Sequence, residues 1–432
     1  MEKIKKENKD KDFVVIIDFI ANYKNNFLIP IALSGDRSYD KDTARKFLSQ
    51  GNRYLPGMST IHFDNISKQR IYSAIDNVKL NTWLFITDEY NKLKNKLGRI
   101  PTYYDFENYD TLDIKKIFEV AGSYYAFLSK KDRDYSYNGK ISKTAENMLN
   151  FVSTNLILSK KIEELILLRL ILKNSQNLEE DFRGVMLTDY TKLIADYELE
   201  VSRKILTNNF VTSSVTKKKF NDCIFLDEYN KVVKPSKELE KELQSDIFRT
   251  LLTELVEYGI YRYNKYYKHN LYRDTNFILY EKYSFEDICK LFSWSINYVP
   301  LAIGGYKYDE QTKTLPVFIN YDIDENSFNH DYVHGFLPGN GFTSMSKPRR
   351  NLESRECEYF YKDETKIYLF MRKNKDDKDG ARIFYFLGEM KTVGQPELVH
   401  REKSGDTVIQ FFYKIQTPLR EDMYEYFTRE KI

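Results

Sequence analysis

The chain has 432 residues, with 67 Lys and Arg against 64 Asp and Glu, a net charge of +3 and 42% hydrophobic residues. That balance excludes a disordered chain and leaves room for about three domains of ~150 residues. Global charge is no guide to nucleic acid here, so any basic site must be local.

The first ten residues read as a charged, frayed tail, and residues 13–20 (FVVIIDFI) as a near-continuous β-branched and aromatic run. Such a run suits a strand buried on both faces of a parallel sheet. The residues before it supply no neighbouring strands, which suggests a fragment, a split gene product or a subunit. From about 40 to 275 the pattern is mainly helical. Asp64 and Ser67 with Ile66, Ile71 and Ile75 predict an amphipathic helix, and 87–97 predicts another, closed by Gly98 and Pro101. Residues 141–158 and 160–173 follow, the second apolar around most of its circumference and so expected to be buried. One or two further helices span 236–273, opening at Pro235 and Ser236.

The texture changes near Asn276. Ser284 is a plausible N-cap for a short helix over 285–292, and the runs LPVFINY, KIYLFMR, RIFYFLGEM and TVIQFFYKIQ predict strands. Asp379-Gly380 and Ser404-Gly405 mark turns between runs. This part predicts a strand-rich domain with a curved or barrel-like sheet.

Several chemistries are missing from the sequence. There is no GxxxxGK[ST] phosphate loop, no HExxH and no GxSxG. Cys223, Cys289 and Cys357 have no CxxC spacing and are odd in number, which points to a reducing compartment and away from disulfides or structural zinc. His330 and His334 are four apart, a metal-binding spacing on a helix, but their surroundings read as loop. No metal and no cofactor are expected. The longest apolar stretches, 13–20 and 165–172, are too short to span a bilayer, and no signal-type segment follows the N-terminus. A cytoplasmic protein without a membrane partner is expected.

One enzyme pattern remains: Asp379, then Glu389-x-Lys391 on a strand, the skeleton of a magnesium-dependent nuclease. An exposed strand end explains the same residues. Three segments suggest DNA instead. Residues 341–355 (GFTSMSKPRRNLESR) carry Ser344, Ser346, Lys347, Arg349 and Arg350, residue types that suit phosphate oxygens or, equally, a solvated loop. Upstream, Gly304 and Gly305 precede Tyr306 and Tyr308, which together with Phe318 form a candidate pocket for an extruded base; packing between strands is the plainer alternative. Residues 257–273 interleave six tyrosines with Arg262, Lys265, Lys268 and Arg273, as a backbone channel or as a packed linker helix.

Longer stretches carry a resemblance. FVVIIDFIANYKNNFLIPIALSGDRSYDKDT and LPGMSTIHFDNISKQRIY resemble the region after the last ATPase motif of bacterial DEAD/DEAH-type helicases. LGRIPTYYDF and AGSYYAFL resemble the helical middle region of the same family. YSFEDICKLFSW, IGGYKYDEQTKTLPVFINY, FTSMSKPRRNLES and IYLFMRKNKDDKDG resemble its C-terminal domain. Members typically join a phospholipase-D nuclease, a helicase and that domain, and some are type IV restriction enzymes that cleave DNA carrying 5-methylcytosine. The resemblance implies an α+β chain with residues 1–85 as the tail of a RecA-like helicase domain carrying its last strand. It implies a helical coupling domain over 86–275 and an SRA/PUA-like DNA-recognition domain over 276–432. The expected partners are duplex DNA, methylated in the sharpest version, and a separate or covalently linked helicase and nuclease. Nuclease and motor motifs are missing from these residues, so catalysis does not carry over. The alternatives are the metal-dependent nuclease and a protein-interaction subunit whose strand at 13–20 completes a partner's sheet.

Overall fold

The computed structural model describes residues 26–35, 39–50, 61, 63–78, 82–109, 111–229, 232–298, 303–322, 335–374, 383–401 and 405–428. The run at 13–20, the histidines at 330 and 334, Asp379-Gly380 and Ser404 lie outside them. The described chain is a mixture of helix and sheet, an α+β arrangement.

Three short helices, α1 (Leu28–Ser34), α2 (Lys41–Gln50) and α3 (Asn65–Asn77), close over their own small core of Phe27, Ile31, Phe47, Leu48, Ile71 and Ile75. Asp64 caps α3 by accepting from the Ser67 amide. Ile71 and Ile75 are buried while Ile66 is 62% exposed. At 100° per residue, position 66 lies about 140° from 71, off the buried stripe.

The helical body follows: α4 (Trp83–Leu97), α5 (Tyr103–Asn108), α6 (Ile114–Ala121), α7 (Tyr124–Lys131) and α8 (Lys143–Phe151). Then come α9 (Glu163–Leu172), α10 (Leu178–Tyr190), α11 (Asp196–Leu206), α12 (Ser214–Lys219), the hairpin β1 (Leu226–Tyr229) and β2 (Val232–Pro235), α13 (Lys237–Glu242) and α14 (Asp246–Tyr266). Thr82, Thr102, Ser123, Ser142, Ser236 and Ser245 each cap the helix that follows, with a side-chain oxygen accepting a first-turn amide. The predicted helix over 141–158 does not run on as one α-helix: α8 passes into a π-helix over Val152–Ile157.

The last third is a sheet of β3 (Lys282–Ser284), β4 (Thr314–Asp322), β5 (Gly335–Leu337), β6 (Gly341–Met345), β7 (Lys366–Asn374), β8 (Ile383–Thr392), β9 (Glu397–His400) and β10 (Thr407–Ile415). It also carries α15 (Phe285–Leu291), α16 (Arg355–Tyr361) and α17 (Glu421–Thr428). The four predicted runs form β4, β7, β8 and β10; β4 and β7 are parallel and the other pairs antiparallel. One edge of β8 is shared by β3 and β10, and one edge of β10 by β8 and β9. Strands that serve two partners along one edge belong to a bent sheet, and β8 carries a bulge opposite Leu369 and Phe370.

Period two divides the side chains of the sheet between two cores. Leu315, Val317, Ile319, Leu369, Met371, Phe411 and Tyr413 face one, with Phe360 of α16 and Phe427 of α17. Phe318, Tyr368, Phe370, Phe384 and Phe386 face the other, and that core is continuous with the helical body through Phe277, Trp294, Leu165 and Leu255. The change of texture near Asn276 is therefore a change of element type, while the hydrophobic core runs across it.

Candidate nucleic-acid interface

Ser346 begins the site by leaving β6. Its amide donates to the Ile409 carbonyl at 2.8 Å, and its Oγ accepts from the Ile409 amide at 2.9 Å. The next residues are pinned as well: the Arg349 and Arg350 amides both donate to the Thr407 carbonyl, at 2.8 and 3.3 Å. Arg349 takes a left-handed φ of 61°, an uncommon conformation for a side-chain-bearing residue. This fixed turn presents Lys347, Arg349 and Arg350 together on one edge of the sheet.

Tyr306 meets them from the other side, bridging antiparallel to Val317 on β4. Its ring is buried edge-on against Phe360 at 5.0 Å, and the Lys347 Nζ sits 4.6 Å over it. Its phenol donates to Glu356 Oε2 at 2.8 Å and accepts from the Lys347 amide at 3.4 Å. Arg350 Nε donates to the same Oε2 at 2.9 Å, and Lys347 Nζ lies 3.9 Å from Oε1. Burial raises the Glu356 carboxyl, but Arg350, Tyr306 and Lys347 outweigh it and hold it below the usual range. Burial, with Arg350 and Lys307 nearby, lowers the Lys347 ammonium. Burial and Glu356 push the Tyr306 phenol well up. Gly304, at φ 62°, leaves room for the lysine stem: a Cβ there would lie 3.1 Å from Lys347 Cε.

Arg349 points outward, its side chain 83% exposed with Asp406 3.2 Å from Nε. Tyr308 and Tyr359 form a partly exposed stacked pair, centroids 4.4 Å apart at 17°, with Lys362 5.1 Å from the Tyr359 ring.

The structure thus brings together Tyr306, Lys347 and Arg350, sets Arg349 and Tyr308 at the margin, and turns three named side chains away from the cluster. Phe318 is on the opposite face of β4, packed on Phe285 at 4.5 Å and Phe370 at 5.4 Å, so it lines no pocket with Tyr306. Ser344 is buried and hydrogen-bonded to Tyr413 Oη at 3.0 Å, and Ser346 is buried in the ladder. Neither hydroxyl is presented to solvent. Glu356, the residue on which the cluster converges, was missed by the sequence reading, because no local period marks a contact six residues from Arg350.

The tyrosine-rich helix α14 is packed, and its cations are committed. Tyr258 donates to Glu107 at 2.8 Å, Arg262 reaches Glu107 and Asp113 at 3.1 and 2.7 Å, and Lys265 reaches Glu107 at 3.0 Å. Beyond its end, Arg273 pairs with Glu389 at 2.5 Å, so that carboxylate is neutralised by an arginine, while Lys391 sits opposite Lys414. Asp379, the third member of the nuclease pattern, is outside the described residues. Among the described residues no group of three or more His, Cys, Asp or Glu is placed to hold a metal, and no helix is long and apolar enough to cross a membrane.

No curated protein matches the chain. Residues 86–268 match the family described as a domain of unknown function, DUF8090. Residues 277–427 match another domain of unknown function, DUF3427, and the sheet that carries this cluster lies within that match.

Proposed function

We propose that this chain is the DNA-binding and coupling part of a defence or restriction helicase, and that it recognises duplex DNA through the edge carrying Lys347, Arg349 and Arg350. The observation that carries the reading is the fixed turn after β6, which holds three cations on one edge beside a partly exposed aromatic pair. Arginine forks and a lysine suit phosphate oxygens, and a flat aromatic suits a base. DUF3427 domains occur in helicase-associated proteins, which supports the helicase context. Coupling is supported by the core shared between the helical body and the sheet, through which a load on one part is felt by the other.

In its sharpest form the reading is SRA-like: one 5-methylcytosine is turned out of the duplex and stacked at this edge. In this reading we take the half-exposed Tyr308 and Tyr359 rather than Tyr306 as the stacking surface, because the Tyr306 ring is covered by Lys347 and Phe360. Base stacking on an aromatic is worth roughly 1–3 kcal/mol, so Tyr308→Ala should weaken duplex binding by about 10-fold. A fluorescent base analogue beside the methylated position should brighten on binding to the native chain and stay dark with the variant. Equal affinity for methylated and plain duplexes, with no fluorescence change, rejects base extrusion and leaves a general DNA clamp.

A further inference from the structure

We propose that Glu356 is a resident anion in a phosphate seat: its carboxylate occupies the place that a DNA phosphodiester oxygen takes, and duplex binding exchanges one for the other. The inference rests on the DNA reading above and adds the regulation of that site. Two hydrogen-bond donors and an ammonium converge on this one carboxylate: the Tyr306 hydroxyl at 2.8 Å, Arg350 through Nε at 2.9 Å and Nη2 at 3.4 Å, and Lys347 Nζ at an ion-pair distance of 3.9 Å. A forked guanidinium with a hydroxyl and an ammonium is the donor set that reads phosphate as readily as carboxylate.

The stems that carry the donors are held by packing and by the ladder, and the exchange asks only the partly exposed Glu356 side chain to turn outward. Tyr306 is packed on Phe360, the backbone of Arg350 is tied to Thr407, and the stem of Lys347 lies against Gly304. Glu356 stands in the first turn of the short helix α16, whose N-cap Ser354 makes no side-chain capping bond, and its side chain is partly exposed. Rotating it to solvent vacates a seat lined by two cations without disturbing the sheet. Exchange also makes the seat selective. A lone phosphate ion gains little over the carboxylate it displaces, whereas a duplex adds its contacts to Arg349 and the neighbouring cations.

The test compares full-length chains by fluorescence anisotropy with a short labelled duplex at one fixed salt concentration. Glu356→Gln keeps the side-chain size and an acceptor for Tyr306 but removes the competing charge. It should bind about 3- to 10-fold more tightly than the native chain. Glu358→Gln, an exposed carboxylate on the same helix, should give a smaller change. Thermal unfolding of each variant verifies the fold. If the native chain binds and Glu356→Gln gains nothing, or if Glu358→Gln gains as much, the exchange is overturned and the DNA reading stands. If neither the native chain nor Glu356→Gln binds, both are overturned.

Discussion

Lys290 of α15 donates its ammonium to the carbonyl of Asn155, 3.2 Å away, inside the π-helix that follows α8. A π-turn disturbs the regular carbonyl ladder, and here a buried lysine from the sheet-bearing part takes up a carbonyl of the helical body. The bond spans 135 residues of sequence and crosses the core that both parts share.

That bond is expected to make the two parts unfold together. Lys290→Met keeps the apolar stem and leaves the Asn155 carbonyl unpaired, which should cost about 1–3 kcal/mol. Urea unfolding followed by both far-ultraviolet and tyrosine signals should show one shifted transition. Two separated transitions in the native chain would mean that the parts are thermodynamically independent.

The bulge in β8 depends on Gly388. It holds φ at 95°, and an added Cβ would meet Leu279 at 3.2 Å and the Tyr272 ring at 3.3 Å. Gly388→Ala should therefore destabilise the chain by about 1–3 kcal/mol, from strain and crowding together. An unchanged midpoint in thermal unfolding would show that the strand absorbs both.

Acid should weaken the helical body through Glu163. Burial raises this carboxyl, but Lys192 at 2.6 Å and nearby Lys161 overcome it and bring it from 4.5 down to about 2. Because the folded value is depressed, its contribution is full above pH 4.5 and is lost as the pH falls through about 2. Glu163→Gln should be less stable near neutrality by up to about 3 kcal/mol, since Lys192 loses its closer carboxylate and keeps Glu198 at 3.3 Å. It should also lose less stability than the native chain between those two pH values. Parallel stability curves for the two chains across that interval would contradict the assignment.

Much of the local structure was legible because it is made by neighbours in sequence. Ser284 caps α15 with Asp287 answering three residues on, Ser236 caps α13, and Gly98 ends α4 in a left-handed conformation. The strand in LPVFINY was legible, but grouping Phe318 with Tyr306 overlooks its period of two, which sets Phe318 opposite Val317 and Ile319, and alternation does not say what each face meets. The helical body covers the face of Phe318, and that is a fact of tertiary packing. The same limit hid the burial of Ser344 and Ser346, which look like free hydroxyls in a basic loop and are ladder residues in the fold. It hid Glu356 too, whose charge cancels part of the basic segment beside it. The π-helix leaves no mark in the apolar pattern of 141–158, and the start of α4 at Trp83 rests on the Thr82 cap rather than on its apolar spacing.

The central claim, that the edge formed by Lys347, Arg349 and Arg350 binds duplex DNA, is tested most directly by the salt dependence of affinity. Each phosphate contact contributes roughly 0.9 to the slope of log affinity against log salt. The native full-length chain should bind a short duplex with a steep negative slope, and the double variant Arg349→Ala with Arg350→Ala should bind more weakly with a slope smaller by about 1–2. Unchanged affinity and slope in the double variant, or no duplex binding by the native chain at any salt concentration, would contradict the account.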